Sequence, residues 1–516
     1  MAGPARDRWV LWVLFAVGAG LASAGAGAAA GEPARPVSHG HHRHGPDFDL
    51  ASSGVRPLWA IPPWDQAPGR AVSHGAGGTR TRSQAARVDV FATGKLAAEP
   101  TVGVDRDGTI FYVSIDTSSG LPRWPVLRSP DGKRWIDVSP LLLGGTSAHP
   151  TSQDGMLYLD DTTGRVFMTD FTGPCSQVSF TDDEGESWTA AAACGLADHQ
   201  NLFTGPPAVS PTVGYPNVVY YCAIDGGALQ EFSSATGCLK SLDGGRTFAR
   251  TGSPPFVDGI NPAPGNFGVP GRCSGVTGHG FVDNEGTVYL PRGWCGQPWL
   301  AISHDEGATW ERVQVADNGM PAQSGGPTEY DPSNATGFQE HEAAVAVDRR
   351  GTIYYFYTAR NRLPYLVVSS DGGETWGKPR MVGPRGLKEA SLPAMDIDAA
   401  GRIAMAYVGS TNAPGGDAPD GAGPAYAKAT WNGYVTIADT PLPRRPRFVT
   451  ATINEAGDPL MIGECWILRC QQQFDFIDVV LDRHGRAWTS MVDGCHRLGG
   501  CVTPGQGILG RVAVPR

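Results

Sequence analysis

Charge is scarce in this chain: of its 516 residues only 18% are Asp, Glu, Lys or Arg. Coiled coils and exposed helical bundles need far more, so neither class fits. The balance of 41 Lys plus Arg against 51 Asp plus Glu gives a net charge of -10, and no basic run interleaves with aromatics. A nucleic-acid partner is therefore not expected, because binding a phosphate backbone calls for a cationic stripe. No C-x-x-C pair occurs among the ten cysteines, which argues against a zinc ribbon. After the first 24 residues no segment is apolar enough to span a bilayer. In abundance are 70 Gly and 42 Pro, with 14 Trp, 18 Phe and 14 Tyr. That mixture excludes bulk disorder and reads as a turn-rich β protein with a substantial core.

Residues 1–24 have the pattern of a secretion signal. Arg6 and Arg8 precede the apolar stretch from Trp9 to Val17, and Ala22-Ser23-Ala24 is a small-residue cleavage site. A secreted, extracellular protein is the expectation, with its even number of cysteines paired. Pairing each cysteine with its neighbour in sequence would join 175 to 194, 222 to 238, 273 to 295, 465 to 470 and 495 to 501, among 945 possible arrangements. Residues 25–85 are rich in Ala, Gly, Pro and His and lack apolar periodicity, so a disordered linker is expected there.

The strongest pattern is an octapeptide. It recurs as Ser241-Leu-Asp243-Gly-Gly245-Arg-Thr247-Phe248, Ser303-His-Asp305-Glu-Gly307-Ala-Thr309-Trp310 and Ser369-Ser-Asp371-Gly-Gly373-Glu-Thr375-Trp376. Thr181-Asp-Asp183-Glu-Gly185-Glu-Ser187-Trp188 is a hydroxyl-swapped copy, and Ser129-Pro-Asp131-Gly-Lys-Arg-Trp135 a shortened one. Each reads as a hairpin turn in which the Asp accepts backbone N–H groups and Gly takes a positive φ, so these carboxylates are expected to be structural. A second turn, apolar-Asp-x-x-Gly, begins at Asp105, Asp161, Asp283, Asp348, Asp398 and Asp482. Where both motifs occur, the second precedes the octapeptide Asp by 22 to 26 residues. Two turns in fixed phase define a four-stranded module that cannot bury both sheet faces alone, so copies must stack around an axis. The expected fold is an all-β propeller over residues 86–516 with six or seven blades, seven fitting the spacing slightly better.

The octapeptide resembles the Asp-box, or bacterial neuraminidase repeat, and the chain resembles the sialidase superfamily of secreted propellers. What the resemblance implies is an exo-α-sialidase-like glycoside hydrolase acting on anionic sugar termini, with arginines gripping the sugar carboxylate, an Asp as acid/base and a Tyr activated by a Glu. The superfamily's Arg-Ile-Pro motif is absent here, and Glu99-Pro100 stands where it would be sought. A non-catalytic propeller that binds a glycan or protein at the cell surface is the alternative. In either case a glycan or glycoconjugate is the expected partner, with no cofactor and no metal.

Because both repeated turns occupy one face of the blades, ligands belong on the other, among the second-to-third loops and the connectors between blades. Those segments supply Glu340, Glu342, Asp198 and Tyr330 as candidate catalytic residues. They supply Arg292, Arg360, Arg362, His279, His341 and Trp294 as candidate sugar-binding residues. Glu340 and Glu342 flank His341 so that a strand would turn both carboxylates to one side, a pairing suited to acid/base work.

Overall fold

The computed structural model describes Arg70–Val72 and residues 86–514, apart from 117–120, 146, 153, 174, 197–198, 225–235, 257–276, 295–296, 317–342, 360, 416–422, 441, 443–446, 467–468, 471–472, 496–500 and 502–504. Successive runs of four short strands form seven antiparallel sheets. Blade 1 comprises Thr101–Val104, Ile110–Val113, Val126–Ser129 and Ile136–Asp137. Blades 2 to 5 start at Gly155–Leu159, Asn201–Gly205, Phe281–Val282 and Ala344–Val347, and blade 6 at Glu389–Ile397. In blade 6, Met461–Ile462 pairs with the third strand and Arg70–Val72 adds a parallel strand beside Val449–Thr452.

Blade 7 joins the two ends of the described chain. Its strands Asp478–Leu481, Ala487–Asp493 and Gly505–Ala513 are completed by Arg87–Ala97, which pairs with the last of them from Arg87↔Ala513 to Ala97↔Gly505. The first strand of every blade packs against that of the next, and the seventh against the first, so the ring is closed. The result is a seven-bladed propeller. Sequence spacing favoured seven, although the sixth and seventh blades carry no octapeptide.

The octapeptide turns share one hydrogen-bond scheme. At Asp243, the Ser241 hydroxyl donates to Oδ1 (2.7 Å) and accepts from the Gly245 amide (2.8 Å), while Thr247 donates its amide to Oδ1 (2.9 Å) and its hydroxyl to Oδ2 (2.7 Å). The same bonds recur around Asp183, Asp305 and Asp371. Donors crowding these carboxylates keep them ionised. The Arg134 and Lys133 amides hold Asp131 at about 2, and the Ser187 hydroxyl and amide hold Asp183 at about 2.

The residue after the Asp takes a left-handed conformation in all five copies, Gly132 (φ 74°), Gly244 (φ 73°), Gly372 (φ 73°), Glu184 (φ 57°) and Glu306 (φ 57°). Glu306 gains something for that strain. Its buried carboxylate accepts the amides of Ala208, Val209 and Ser210 (2.9 to 3.0 Å) and pairs with Lys240 at 2.8 Å, tying blade 4 to blade 3.

The second turn behaves as read except in blade 2. There Asp160, not Asp161, is the acceptor: it takes the Thr162 amide at 2.9 Å and the Asn217 side chain at 2.8 Å, and the Tyr215 hydroxyl also donates to it. The Asp-Asp-Thr-Thr-Gly loop is one residue longer than its counterparts, and the longer loop moves the role to the first carboxylate.

Adjacent blades touch closely enough to demand glycine at one point. A Cβ on Gly278 would lie 1.6 Å from the carbonyl oxygen of Ala343, where His279 bridges Ala344 across blades 4 and 5. Gly278→Ala is expected to cost about 1–3 kcal/mol by forcing these backbones apart. An unchanged denaturant midpoint would refute that close approach.

Candidate functional site

The repeated turns lie at one rim, so the second-to-third loops and the inter-blade connectors form the other. Four disulfides sit at that second rim: Cys175–Cys194, Cys222–Cys238, Cys465–Cys470 and Cys495–Cys501. All four are sequence-neighbour pairs, and the first three join residues directly opposite in their ladders. Cys273 and Cys295, the fifth expected pair, lie outside the described residues. Backbone strain concentrates at the same rim. Among the described residues, five of the seven non-glycine residues with positive φ are there: Glu99, His199, Arg362, Leu392 and Phe474. Strained positions of this kind gather where a surface must hold a fixed shape.

Of the residues read from sequence, Asp198, Tyr330, Glu340, His341, Glu342 and Arg360 lie outside the described residues. Trp294 ends the second strand of blade 4, and its side chain is likewise not described. His279 is half-buried at the bridge to Ala344. Arg292 is buried in blade 4 with its guanidinium 5.4 Å from the Phe256 ring centroid, and its carbonyl accepts the Tyr355 hydroxyl at 3.3 Å. That environment braces the loop.

Arg362 is the candidate around which chemistry assembles. It sits in the second-to-third loop of blade 5 at φ 63°, held by bonds from its amide to the Ala359 carbonyl and from the Ala390 amide to its own carbonyl. One guanidinium nitrogen lies 2.7 Å from Glu389 Oε2, and the other donates to the Tyr426 hydroxyl at 2.9 Å. That phenol in turn donates to Glu389 Oε1 at 2.9 Å, an oxygen that also accepts the Gly415 amide at 2.8 Å. The disulfide-closed hairpin at Cys465 backs the group, its carbonyl 3.4 Å from Arg362. All three side chains are at most 2% exposed. Burial pushes the Glu389 carboxyl up, and the Arg362 charge offsets this only in part. Sequence reading missed Glu389 and Tyr426. Both occupy positions that supplied candidates in other blades, a connector into a first strand and a second-to-third loop.

A second feature of this rim is a narrow cleft between blades 1 and 2, with room for about one water molecule. Arg123, Trp124, Pro125, Ser139, Pro140, His149, Pro150 and Asp170 line it. Arg123 pairs with Asp116 at 3.3 Å and Asp137 at 3.0 Å. His149 Nδ1 lies 2.8 Å from the Pro140 carbonyl, which orients the ring. Asp170, 2% exposed, is next to last in the second strand of blade 2, and desolvation pushes its carboxyl up to about 8 despite the neighbouring Ser152 hydroxyl.

The fold and this rim define a seven-bladed propeller with its polar groups gathered opposite the repeated turns. No protein-family model matches the chain, and no curated protein matches it. Solved structures to which it is similar include a protein of unknown function from Dyadobacter fermentans, 14% identical over 83% of this chain and 99% of that one, with a TM-score of 0.43. They also include an intramolecular trans-sialidase from Ruminococcus gnavus solved with oseltamivir carboxylate (12% identical, 82% and 97% covered, TM-score 0.36). A lectin from Burkholderia pseudomallei is a third (11%, 79% and 99%, TM-score 0.42). None of the three bears on which residues act. Among the described residues no helix is long and apolar enough to cross a membrane.

Proposed function

We propose that this chain is a secreted, glycan-directed propeller of the sialidase-like kind that hydrolyses anionic sugar termini at the Arg362 rim. The observation that carries the reading is the phenol of Tyr426 set between a carboxylate and a guanidinium, each at 2.9 Å. A phenol is a poor nucleophile until a base withdraws its proton, and Glu389 is placed to accept it. The Arg362 nitrogen on the same oxygen stabilises the negative charge that develops there. In the proposed step the Tyr426 oxygen bonds to the anomeric carbon as the glycosidic C–O bond breaks. The phenolic proton passes to Glu389, and an acid, assigned to Asp198, protonates the leaving oxygen. Water then releases the sugar and restores the phenol. Glu340, Glu342 and Tyr330 belong to the same rim in this reading, with Arg292, Arg360, His279, His341 and Trp294 as sugar contacts.

The test is release of fluorophore from aryl sialosides by the full chain across roughly pH 4 to 8, where carboxylate-assisted chemistry operates. Tyr426→Phe is expected to lower kcat by about 10²-fold or more while the fold survives. No release at any pH overturns hydrolysis. The near-complete burial of Tyr426, Glu389 and Arg362 favours a second reading, glycan binding without turnover, which saturable binding of an uncleaved sialoside would support.

A further inference from the structure

Exposed apolar side chains gather in blade 1 on the rim opposite the repeated turns. Leu141, Leu142 and Leu143, in the connector from blade 1 to blade 2, are 45%, 36% and 47% exposed. Leu121, in the second-to-third loop of the same blade, is 63% exposed. The two loops adjoin, since Arg123 lines the narrow cleft together with Pro140, the residue before Leu141. Single leucines scattered over a surface are ordinary, but an uncovered run of three is not.

The loop is built to hold these side chains outward. Gln177, 4% exposed on the third strand of blade 2, donates to the Leu141 carbonyl at 2.9 Å and accepts from the Leu143 amide at 2.7 Å. The Leu142 amide donates to the Ala148 carbonyl at 2.8 Å. Gly144 and Gly145 then turn the chain at φ 104° and 76°, with open space where a Cβ would stand.

These bonds bear on what can cover the leucines. An apolar phase admits a backbone only where its N–H and C=O groups already have partners, and the Leu141 carbonyl and the Leu142 and Leu143 amides have theirs. From Ser139 to Gln153 the chain carries no Asp, Glu, Lys or Arg, so no ionised side chain of this loop would be stripped of water. Consecutive side chains on a backbone that is not helical point in different directions, so one flat protein surface would not cover all three. A fluid hydrocarbon layer surrounds them.

We propose that Leu141, Leu142 and Leu143, with Leu121 on the adjoining loop, form a contact by which the propeller rests on a lipid bilayer. The leucines enter the interfacial layer, and no spanning segment is needed. The contact stands apart from the reading of Arg362, because the bilayer need carry no sugar.

Sedimentation of residues 25–516, the chain expected after signal cleavage, with vesicles of phosphatidylcholine alone and with phosphatidylserine added tests this. Half of the protein is expected to be bound at about 1 mM lipid, weaker than the roughly 10⁴ M⁻¹ association of a single myristoyl chain. Binding should be equal on both vesicles and unchanged between about 0.1 and about 0.5 M salt, because apolar burial is not screened. The triple change Leu141→Ser, Leu142→Ser and Leu143→Ser is expected to weaken it about 100-fold or more. All three side chains are exposed, so the variant keeps its fold, which circular dichroism verifies. Leu142→Phe should bind at least as tightly as the unaltered chain. The proposal is overturned if neither vesicle sediments the chain, if the folded triple variant binds equally, or if binding needs phosphatidylserine and vanishes in salt. It is likewise overturned if the unaltered chain is a dimer by sedimentation equilibrium and the triple variant a monomer, which would make a second copy the cover for these leucines.

Discussion

Glu389→Ala is expected to destabilise the protein by about 3–5 kcal/mol, read as a fall in the urea midpoint. The reason lies in what is lost: Arg362, 1% exposed, would stay buried beside Tyr426 and the Cys465 carbonyl without the carboxylate that lies 2.7 Å from it. Glu389→Gln, which preserves shape and an acceptor for the Tyr426 hydroxyl, should lose less. The double change Arg362→Met with Glu389→Leu should recover much of the loss, because a buried pair barely offsets its own desolvation. If Glu389→Ala proves harmless, the pair is not closed off from water as described. The pH dependence follows the same logic. The folded-state pKa of Glu389 is raised, so the native protein holds a proton there that the unfolded chain releases, and this group's contribution declines as pH climbs above the ordinary glutamate range.

Asp170→Asn has the second large effect, and it depends on pH. Desolvation raises the Asp170 carboxyl to about 8, well above the unfolded value near 4. Between those values the native state retains the proton and the unfolded state does not, so stability falls as pH rises from about 4 to about 8 and levels off beyond. Asparagine removes the ionisation. At about 1.4 kcal/mol for each tenfold difference, the variant should exceed the unaltered protein by a few kcal/mol at pH 8.5 and by almost nothing at pH 4. Equal urea midpoints at both pH values would mean that the carboxyl is solvated.

What could be read in advance follows from where the chain repeats itself. Five octapeptide-like turns with a second turn in phase were enough to give sheets of four strands and the rim on which the turns lie, because each turn needs particular residues to satisfy its own backbone. Blades 6 and 7 keep the second turn, at Asp398 and Asp482, but lack the octapeptide, so less of their rim could be read. Glu389 and Tyr426 both come from blade 6, and nothing local marks either as special. Tyr426 meets Glu389 only because the loop after Ser410 folds back over the first strand. Arg362 was found because its loop follows the well-marked second strand of blade 5. The Asp160 role was misread by one residue, since two adjacent aspartates satisfy the pattern equally and only the longer loop decides between them.

The two rims of the ring are secured by different chemistry. One is stitched by carboxylates and hydroxyls, the other by sulfur at 175–194, 222–238, 465–470 and 495–501. Reduction of these four disulfides therefore acts at one rim. It slackens the loops of that rim and leaves the opposite turns untouched, so under the proposed function the thiol balance of the surroundings would act on glycan binding before it acted on folding.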